Sequence, residues 1–297
     1  MSDKLINLLA NTELLQTSFN DEQWLLWAKE NQQQNIFFGV GLMTSSSISQ
    51  AVPFDVLAMF FLAELIRKIV NADKVFVLIA DQHAITNKLV PLEEIQKITF
   101  ETMTTIDAII SAFDLRHFEI IQTTPLNFDE RIKTIYRQLP PIANDYLKHE
   151  IADTIWLNKH HHVGIKLGWA MSNEQAVQGH DERFFDSQIS QFSAGVSFIH
   201  AKPGRTGSSQ RQRVSPYVSI AGEERLLLQK NENAVAKIRR WRQEQTNIAI
   251  KPLLRHTSQT IRLHDKLFKP LTFMSLEEKV QTLIEKIEAN QEQKILK

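Results

Sequence analysis

The sequence contains no cysteine, and that one absence excludes disulfides, thiolate metal sites and a cysteine nucleophile together. It also holds no run of 18 apolar residues that could cross a bilayer as a helix. Its start, "MSDKLINLLANTELL", lacks the basic head and continuous apolar core of a signal peptide. The expectation is a soluble, cytoplasmic protein with no membrane contact. Net charge is missing as well, since 34 Lys and Arg balance 34 Asp and Glu. The balance is uneven along the chain. From Lys202 to Lys269 stand 15 Lys and Arg against 5 Asp and Glu, so the remainder carries a matching acidic excess. A polyanion such as ATP or RNA would suit the basic half, and so would an ordinary solvated helical surface.

What is present is enough for a full core: 297 residues, 43% of them apolar and 23% charged. That composition is not one of disorder, and it suits one large domain with a small appendage. "NIFFGVG", 35 to 41, reads as a short buried strand ending in glycines. Pro53 opens a helix whose apolar positions continue to about Asn71. "KVFVLIA", 74 to 80, is apolar throughout, as a strand covered on both faces must be. Pro91 with Glu93 and Glu94 starts another helix, "HFEIIQTT" is a third strand, residues 128 to 157 are mostly helical and "VSFIHA", 196 to 201, is a fourth strand. The chain beyond Ala221 reads as helical and polar. Strands alternating with helices predict an α/β fold, a Rossmann-like parallel sheet with helices on both faces and a small helical C-terminal region.

In such sheets ligands bind beyond the carboxyl ends of the strands, where strand order reverses. The serine-rich turn "TSSSIS" follows the first strand there, ahead of a helix. Free backbone N–H groups and the helix dipole favour an anion at that place. Thr44, Ser45, Ser46, Ser47 and Ser49 are candidates for phosphate or carboxylate contact, with Gly39 and Gly41 beneath them. Capping and turn formation account for the serines equally.

"VLIADQHA", 77 to 84, is the most specific stretch. It resembles the "LLADxHA" segment of class I aminoacyl-tRNA synthetases, in particular the tyrosyl and tryptophanyl branch. The flanking order agrees: a glycine-bearing strand, a turn, a helix and then this segment. Further on, "VQGHDERFFDSQ" resembles the family's "GGxDQR" segment, and "SFIHAKPGRTGSSQRQRVSPYVS" occupies the place of the strand and loop ending in its Lys-Met-Ser-Lys-Ser signature. The resemblance spans roughly residues 35 to 240 and rests on order and spacing more than identity. It implies a helical segment over 1–34, a synthetase-like nucleotide-binding domain over 35–225 and a helical region over 226–297. It also implies ATP and Mg2+ as cofactors, with an amino acid or small carboxylate as substrate. Partners implied with it are tRNA or aminoacyl-tRNA and a second copy in a homodimer.

The departures matter as much. Neither histidine of the family's His-Ile-Gly-His signature is visible in "SSSISQAVPFD", and only "QRVSPYV", with Ser215, stands where the lysine signature belongs. Those groups stabilise charge developing on the ATP phosphates. Arg205, Arg211 and Arg213 on the Gly- and Ser-rich stretch are candidates to replace them. Alternatively the chain uses aminoacyl-tRNA without ATP, as cyclodipeptide synthases of similar fold do, with Ser45, Ser46 or Ser47 as nucleophile. Tyr146 and Glu150, four apart on one helix face, would then address the amine. A non-catalytic binder is the third reading.

Other candidates follow from chemistry and from the resemblance. Gly179 at a helix start would permit close approach of a ligand beside His180. Asp181 and Glu182 would take an α-ammonium, and Arg183 a carboxylate or phosphate. Asp81 and His83 are expected to close the second strand at the sheet's carboxyl edge, His83 donating to ATP or substrate or serving structure alone. In "KHHHVGIKLGW", 159 to 169, the resemblance places a histidine, Lys166 and Trp169 toward the pocket. Adjacent histidines diverge and no carboxylate of ligand spacing lies nearby, so no metal site is expected. The "KIRRWR" run is where tRNA contact would be sought, and the amphipathic tail from 277 suits packing on the main domain or a partner protomer.

Overall fold

The computed structural model describes residues 3–12, 14–15, 19–41, 54–87, 91–126, 129–141, 145–169, 195–201, 217–220, 223–226, 248–249, 262–263 and 266–267. The chain begins with α1 (Asp3–Ala10) and α2 (Asp21–Glu30), then alternates: β1 (Asn35–Gly41), α3 (Phe54–Val70), β2 (Val75–Ala80), α4 (Asp81–Asn87), α5 (Leu92–Ala112), β3 (Phe118–Gln122). It continues through α6 (Thr123–Leu126), α7 (Glu130–Gln138), α8 (Asp145–His161), β4 (Val163–Trp169) and β5 (Ser197–Ala201). Beyond these lie β6 (Tyr217–Ile220), β7 (Glu223–Leu226) and β8 (Ile248–Ala249).

β1 to β5 form one parallel sheet in the order β3-β2-β1-β4-β5. Every residue of β2 is buried, and its alternation splits the core in two. Val75, Val77 and Ile79 face a cluster with α1, α2, α3 and α5, together with Ile36 and Phe38 of β1. Phe76 and Leu78 face a second cluster with Phe37 and the apolar residues of α7 and α8. Helices cover both faces of the doubly wound sheet, so its strands tolerate a continuous apolar run.

Two expectations are corrected. The sheet has a strand at Val163–Trp169 that is not among the four expected from the sequence, and this makes five strands. The segment beyond Ala221 is not wholly helical either: β7 and β8 flank β6 in a separate antiparallel sheet. β-pairing there overrides a polar local pattern that favours helix, because cross-strand partners decide short strands more than propensity does. The domain boundary at 226 also has a tie across it. Leu263 and Leu267 are buried in the first core cluster, and Lys68 on α3 donates to the Leu267 carbonyl at 3.3 Å.

With 9 glycines in 297 residues, the chain turns its helices into strands without them. Gln33 (φ 61°), Asn71 (φ 54°), Asp114 (φ 53°) and His162 (φ 51°) are all left-handed, and each stands shortly before β1, β2, β3 or β4 respectively. These are helix-end positions where glycine is the usual occupant.

Candidate functional site

β1 runs on to β2 and β3 on one side of the sheet, and β4 and β5 lie on the other. The order therefore reverses between β1 and β4, and a crevice opens at their carboxyl ends. On the α8 face of that crevice, paired residues of parallel neighbours point the same way: Phe37 beside Lys166, and Gly39 beside Leu78. Glycine at 39 keeps this face open. Among the described residues, nothing lies within 4 Å of where its Cβ would stand.

One strand step below, roughly 7 Å at the usual rise, is a charge in an otherwise apolar face. The Lys166 ammonium forms an ion pair with the Glu150 carboxylate of α8, and lies 5.7 Å from the centre of the Phe37 ring. Both side chains are largely covered, 13% and 26% exposed. One turn further along α8, Asp153 is buried, 1% exposed. Tyr146, Glu150 and Asp153 share a helix face by their spacing, and the structure places Glu150 on the sheet. Asp153, which continues that spacing to i+7, lies one turn toward the amino edge, since α8 ends where β4 begins, and so away from Gly39.

The second element of the site is at the carboxyl ends of β2 and β3. Asp81 starts α4 immediately after β2, and it is 3% exposed. Its Oδ1 accepts from the Thr123 hydroxyl at 2.7 Å, the Thr124 amide at 2.8 Å and its neighbour Gln82's amide at 3.0 Å. Its Oδ2 accepts from Gln122 Nε2 at 2.5 Å. The carboxylate is thus a clasp holding two strand ends together, with both oxygens engaged inside the protein. Beside it, the Thr124 hydroxyl is buried with no hydrogen-bond partner among the described residues.

The histidine cluster is elsewhere. His160 and His161 end α8, and His162 leads into β4, whose first residue pairs with the first of β1. They stand at the amino edge of the sheet, opposite the crevice, so the expectation that one faces the pocket is corrected. The His161 ring lies 4.7 Å from Trp156 and 5.0 Å from Phe76. Burial, only partly offset by Glu119, pushes its pKa below the ordinary histidine value. Arg131 holds Asp129 at about 2 at the start of α7, and burial with Asp145 raises Tyr136. Among the described residues no cluster of His, Asp and Glu could hold a metal ion, and no helix is long and apolar enough to cross a membrane.

Of the residues singled out from sequence, the structure brings together Gly39, Gly41 and Lys166 at the crevice, with Asp81 at the neighbouring strand ends. His83 is on α4 and Trp169 ends β4, and their side chains lie outside the described part, as does that of Tyr146. Thr44, Ser45, Ser46, Ser47, Ser49, Gly179, His180, Asp181, Glu182, Arg183, Arg205, Arg211, Arg213 and Ser215 lie outside the described residues.

No protein-family model matches the chain, and no curated protein matches it by sequence. Solved structures do resemble it. The tyrosyl-tRNA synthetase of Archaeoglobus fulgidus, solved with L-tyrosine, is similar with a TM-score of 0.54 at 12% identity, over 97% of this chain and 99% of that one. The tyrosyl-tRNA synthetase of Aeropyrum pernix is similar at 0.53 and 13% identity, over 97% and 93%. A tryptophanyl-tRNA synthetase homologue from Entamoeba histolytica is similar at 0.55 and 12% identity, over 100% and 87%. Likeness at such identity speaks to architecture, and on that ground the chain has the class I aminoacyl-tRNA synthetase-like fold of the tyrosyl and tryptophanyl branch.

Proposed function

We propose that the protein activates an amino acid or similar carboxylate with ATP as an adenylate, passing it to an acceptor other than tRNA. The observation that carries this reading is the crevice at the β1/β4 reversal. It is open over Gly39 and walled by the Glu150–Lys166 pair, in a fold whose neighbours include a tyrosyl enzyme solved with its amino acid.

The described residues suit the amino acid half of such a reaction: the Glu150 carboxylate on α8 for an amine, with Lys166 between it and the sheet. ATP, when bound with Mg2+, supplies the α-phosphate that the substrate carboxylate attacks and the pyrophosphate that leaves. Holding its phosphates falls in this proposal to Ser45, Ser46 and Ser47, to Arg205, Arg211 and Arg213, and to Ser215. Gly179, His180, Asp181, Glu182 and Arg183 would close the substrate side. The chain's own contribution is positioning, which lets one carboxylate oxygen approach in line.

Pyrophosphate exchange tests the proposal: protein, ATP, magnesium, labelled pyrophosphate and each common amino acid in turn. The expected result is exchange with one amino acid, lost in Arg211→Ala or Arg213→Ala and in Gly39→Val, which fills the crevice. Absence of exchange with all of them, alongside tight binding of aminoacyl-tRNA, would replace this reading with acyl transfer from Ser45, Ser46 or Ser47.

A further inference from the structure

Among the described residues of α3, Glu64 alone is a buried charge, at 5% exposed. Two cations one turn on answer it. Arg67 donates from Nε and Nη2 to its two oxygens at 2.7 and 2.9 Å, and the Lys68 ammonium stands 3.6 Å from Oε1. Such a group is seldom better for stability than apolar residues of the same volume, because the charges lose water. What it adds here is direction, since each cation gives a further donor to a backbone carbonyl. Arg67 donates to Ala72 just past the end of α3 at 3.1 Å, and Lys68 donates to Leu267 at 3.3 Å, 199 residues away in the chain. Around that second carbonyl the contact is apolar. Leu263 and Leu267, four apart and both helical, are 1% and 4% exposed in the cluster that holds α1 and α3, while Arg262 and Lys266 are exposed.

We infer that the segment carrying Leu263 and Leu267 is a latch, keyed to Lys68, which fastens the C-terminal part of the chain to α3 and opens while the central sheet stays folded. The chain leaves that sheet at Ala201, the end of β5, and returns to its core only with these two leucines among the described residues. In between, β6, β7 and β8 pair with one another in a sheet of their own. Closing so long a connection costs entropy that two buried leucines offset with little left over. The bond from Lys68 to the Leu267 carbonyl therefore decides whether the segment stays docked, and Glu64 decides where the Lys68 ammonium points. A backbone carbonyl as the acceptor makes the key specific to the path of the chain rather than to a side chain. The latch does not depend on the proposed reaction.

The test is hydrogen–deuterium exchange of the full chain, read by mass spectrometry in peptides covering 262–267 and β2, at several urea concentrations below the unfolding midpoint. Opening a latch exposes little surface, so exchange in 262–267 is expected to rise only slightly with urea. β2, buried at every residue, exchanges through global unfolding and should rise steeply. Lys68→Met is expected to speed exchange of 262–267 at least roughly tenfold, the ordinary loss for a hydrogen bond to a charged group. Leu267→Ala should do as much by removing buried methyl groups. Lys74→Met, which removes an exposed lysine paired with Glu119, is the control and should leave 262–267 unchanged. Should Lys68→Met fail to fold by circular dichroism, the wild-type urea series and Leu267→Ala decide. Exchange of 262–267 and β2 rising together with urea would make the segment an ordinary part of one cooperative core and overturn the latch. A Lys68→Met variant exchanging at the wild-type rate, or a wild type unprotected over 262–267, overturns it equally.

Discussion

Among the described residues, the two ends of the central sheet use their polar side chains in opposite ways. At the amino edge, His160, His161 and His162, Asn35 and Arg131 are committed to closing the chain. The Asn35 amide group donates to the His161 carbonyl at 2.7 Å, the Asn35 backbone N–H donates to the His162 carbonyl at 3.0 Å, and the imidazoles stack on Trp156. Toward the carboxyl edge, Glu150 and Lys166 stand inside an otherwise apolar face, one strand step from Gly39, where nothing among the described residues lies within 4 Å of a Cβ position. Polar residues thus close turns at one end of α8 and adjoin the candidate crevice toward the other, and position relative to the strand direction is what separates them.

The exception at the carboxyl edge is Asp81, and removing it gives the largest expected effect. Asp81→Ala removes the acceptor shared by the Thr123 hydroxyl, the Thr124 amide and the Gln122 side chain, and leaves the Gln82 amide with the Thr123 hydroxyl oxygen at 3.0 Å. The expected cost is about 3 kcal/mol, read as a shift of the urea midpoint, since stranded buried donors cost more than a bond is worth. A loss of substrate binding in a variant of unchanged stability would move Asp81 from clasp to ligand and break the comparison. Thr123→Val, which removes one donor together with its acceptor role, should cost less.

How much of this was legible beforehand follows the range of the interaction. β2, buried throughout, and β1 beside it were visible as apolar runs because residues of both their faces enter the core, and β3 and β5 at the sheet's edges were visible from shorter runs. β4 was obscured by Lys166, a charge within its otherwise apolar run. Asp81 was placed correctly along the chain, yet its partners stand 41 to 43 residues further on and no local pattern points to them. Lys166 and Glu150 were each singled out for separate reasons. Only the fold joins them, across 16 residues of helix end and turn. The histidine triplet misled because its composition suggests chemistry, while the strand direction that puts it at the wrong edge is a tertiary fact.

At the amino edge the next expected effect is favourable. His162 carries a left-handed backbone at φ 51° between α8 and β4, and its side chain is exposed. The strain of a side chain in that region is worth roughly 1 kcal/mol. His162→Gly is therefore expected to raise the unfolding midpoint by about that amount, less what glycine adds to the entropy of the unfolded chain. Pyrophosphate exchange should not change, because the residue is remote from Gly39 in strand direction. A fall in exchange at unchanged stability would show the two edges to be coupled through α8.

The smallest effect sharpens the comparison by pH. His161 is half-buried among Trp156 and Phe76, with Glu119 the one group raising its pKa and His160, Lys74 and Arg131 lowering it. Its folded pKa lies below the unfolded value of 6.5. A depressed group contributes stability that is complete above the unfolded pKa and is lost as pH falls through the folded one. Below 6.5 the unfolded chain takes up a proton that the folded chain refuses, so the folded state loses ground until His161 is itself protonated. Solvent reaches part of the ring, which keeps the loss to a few tenths of a kcal/mol. The chain has nine other histidines, so the quantity to measure is the difference between wild type and His161→Gln in urea midpoint from about pH 7.5 to about pH 5.5. The variant should lose less stability on acidification, and Trp156 fluorescence should report the same transition in the wild type alone. Parallel midpoints would mean that the imidazole is not held between the two rings, and the amino edge would lose its description as a closed, stacked structure.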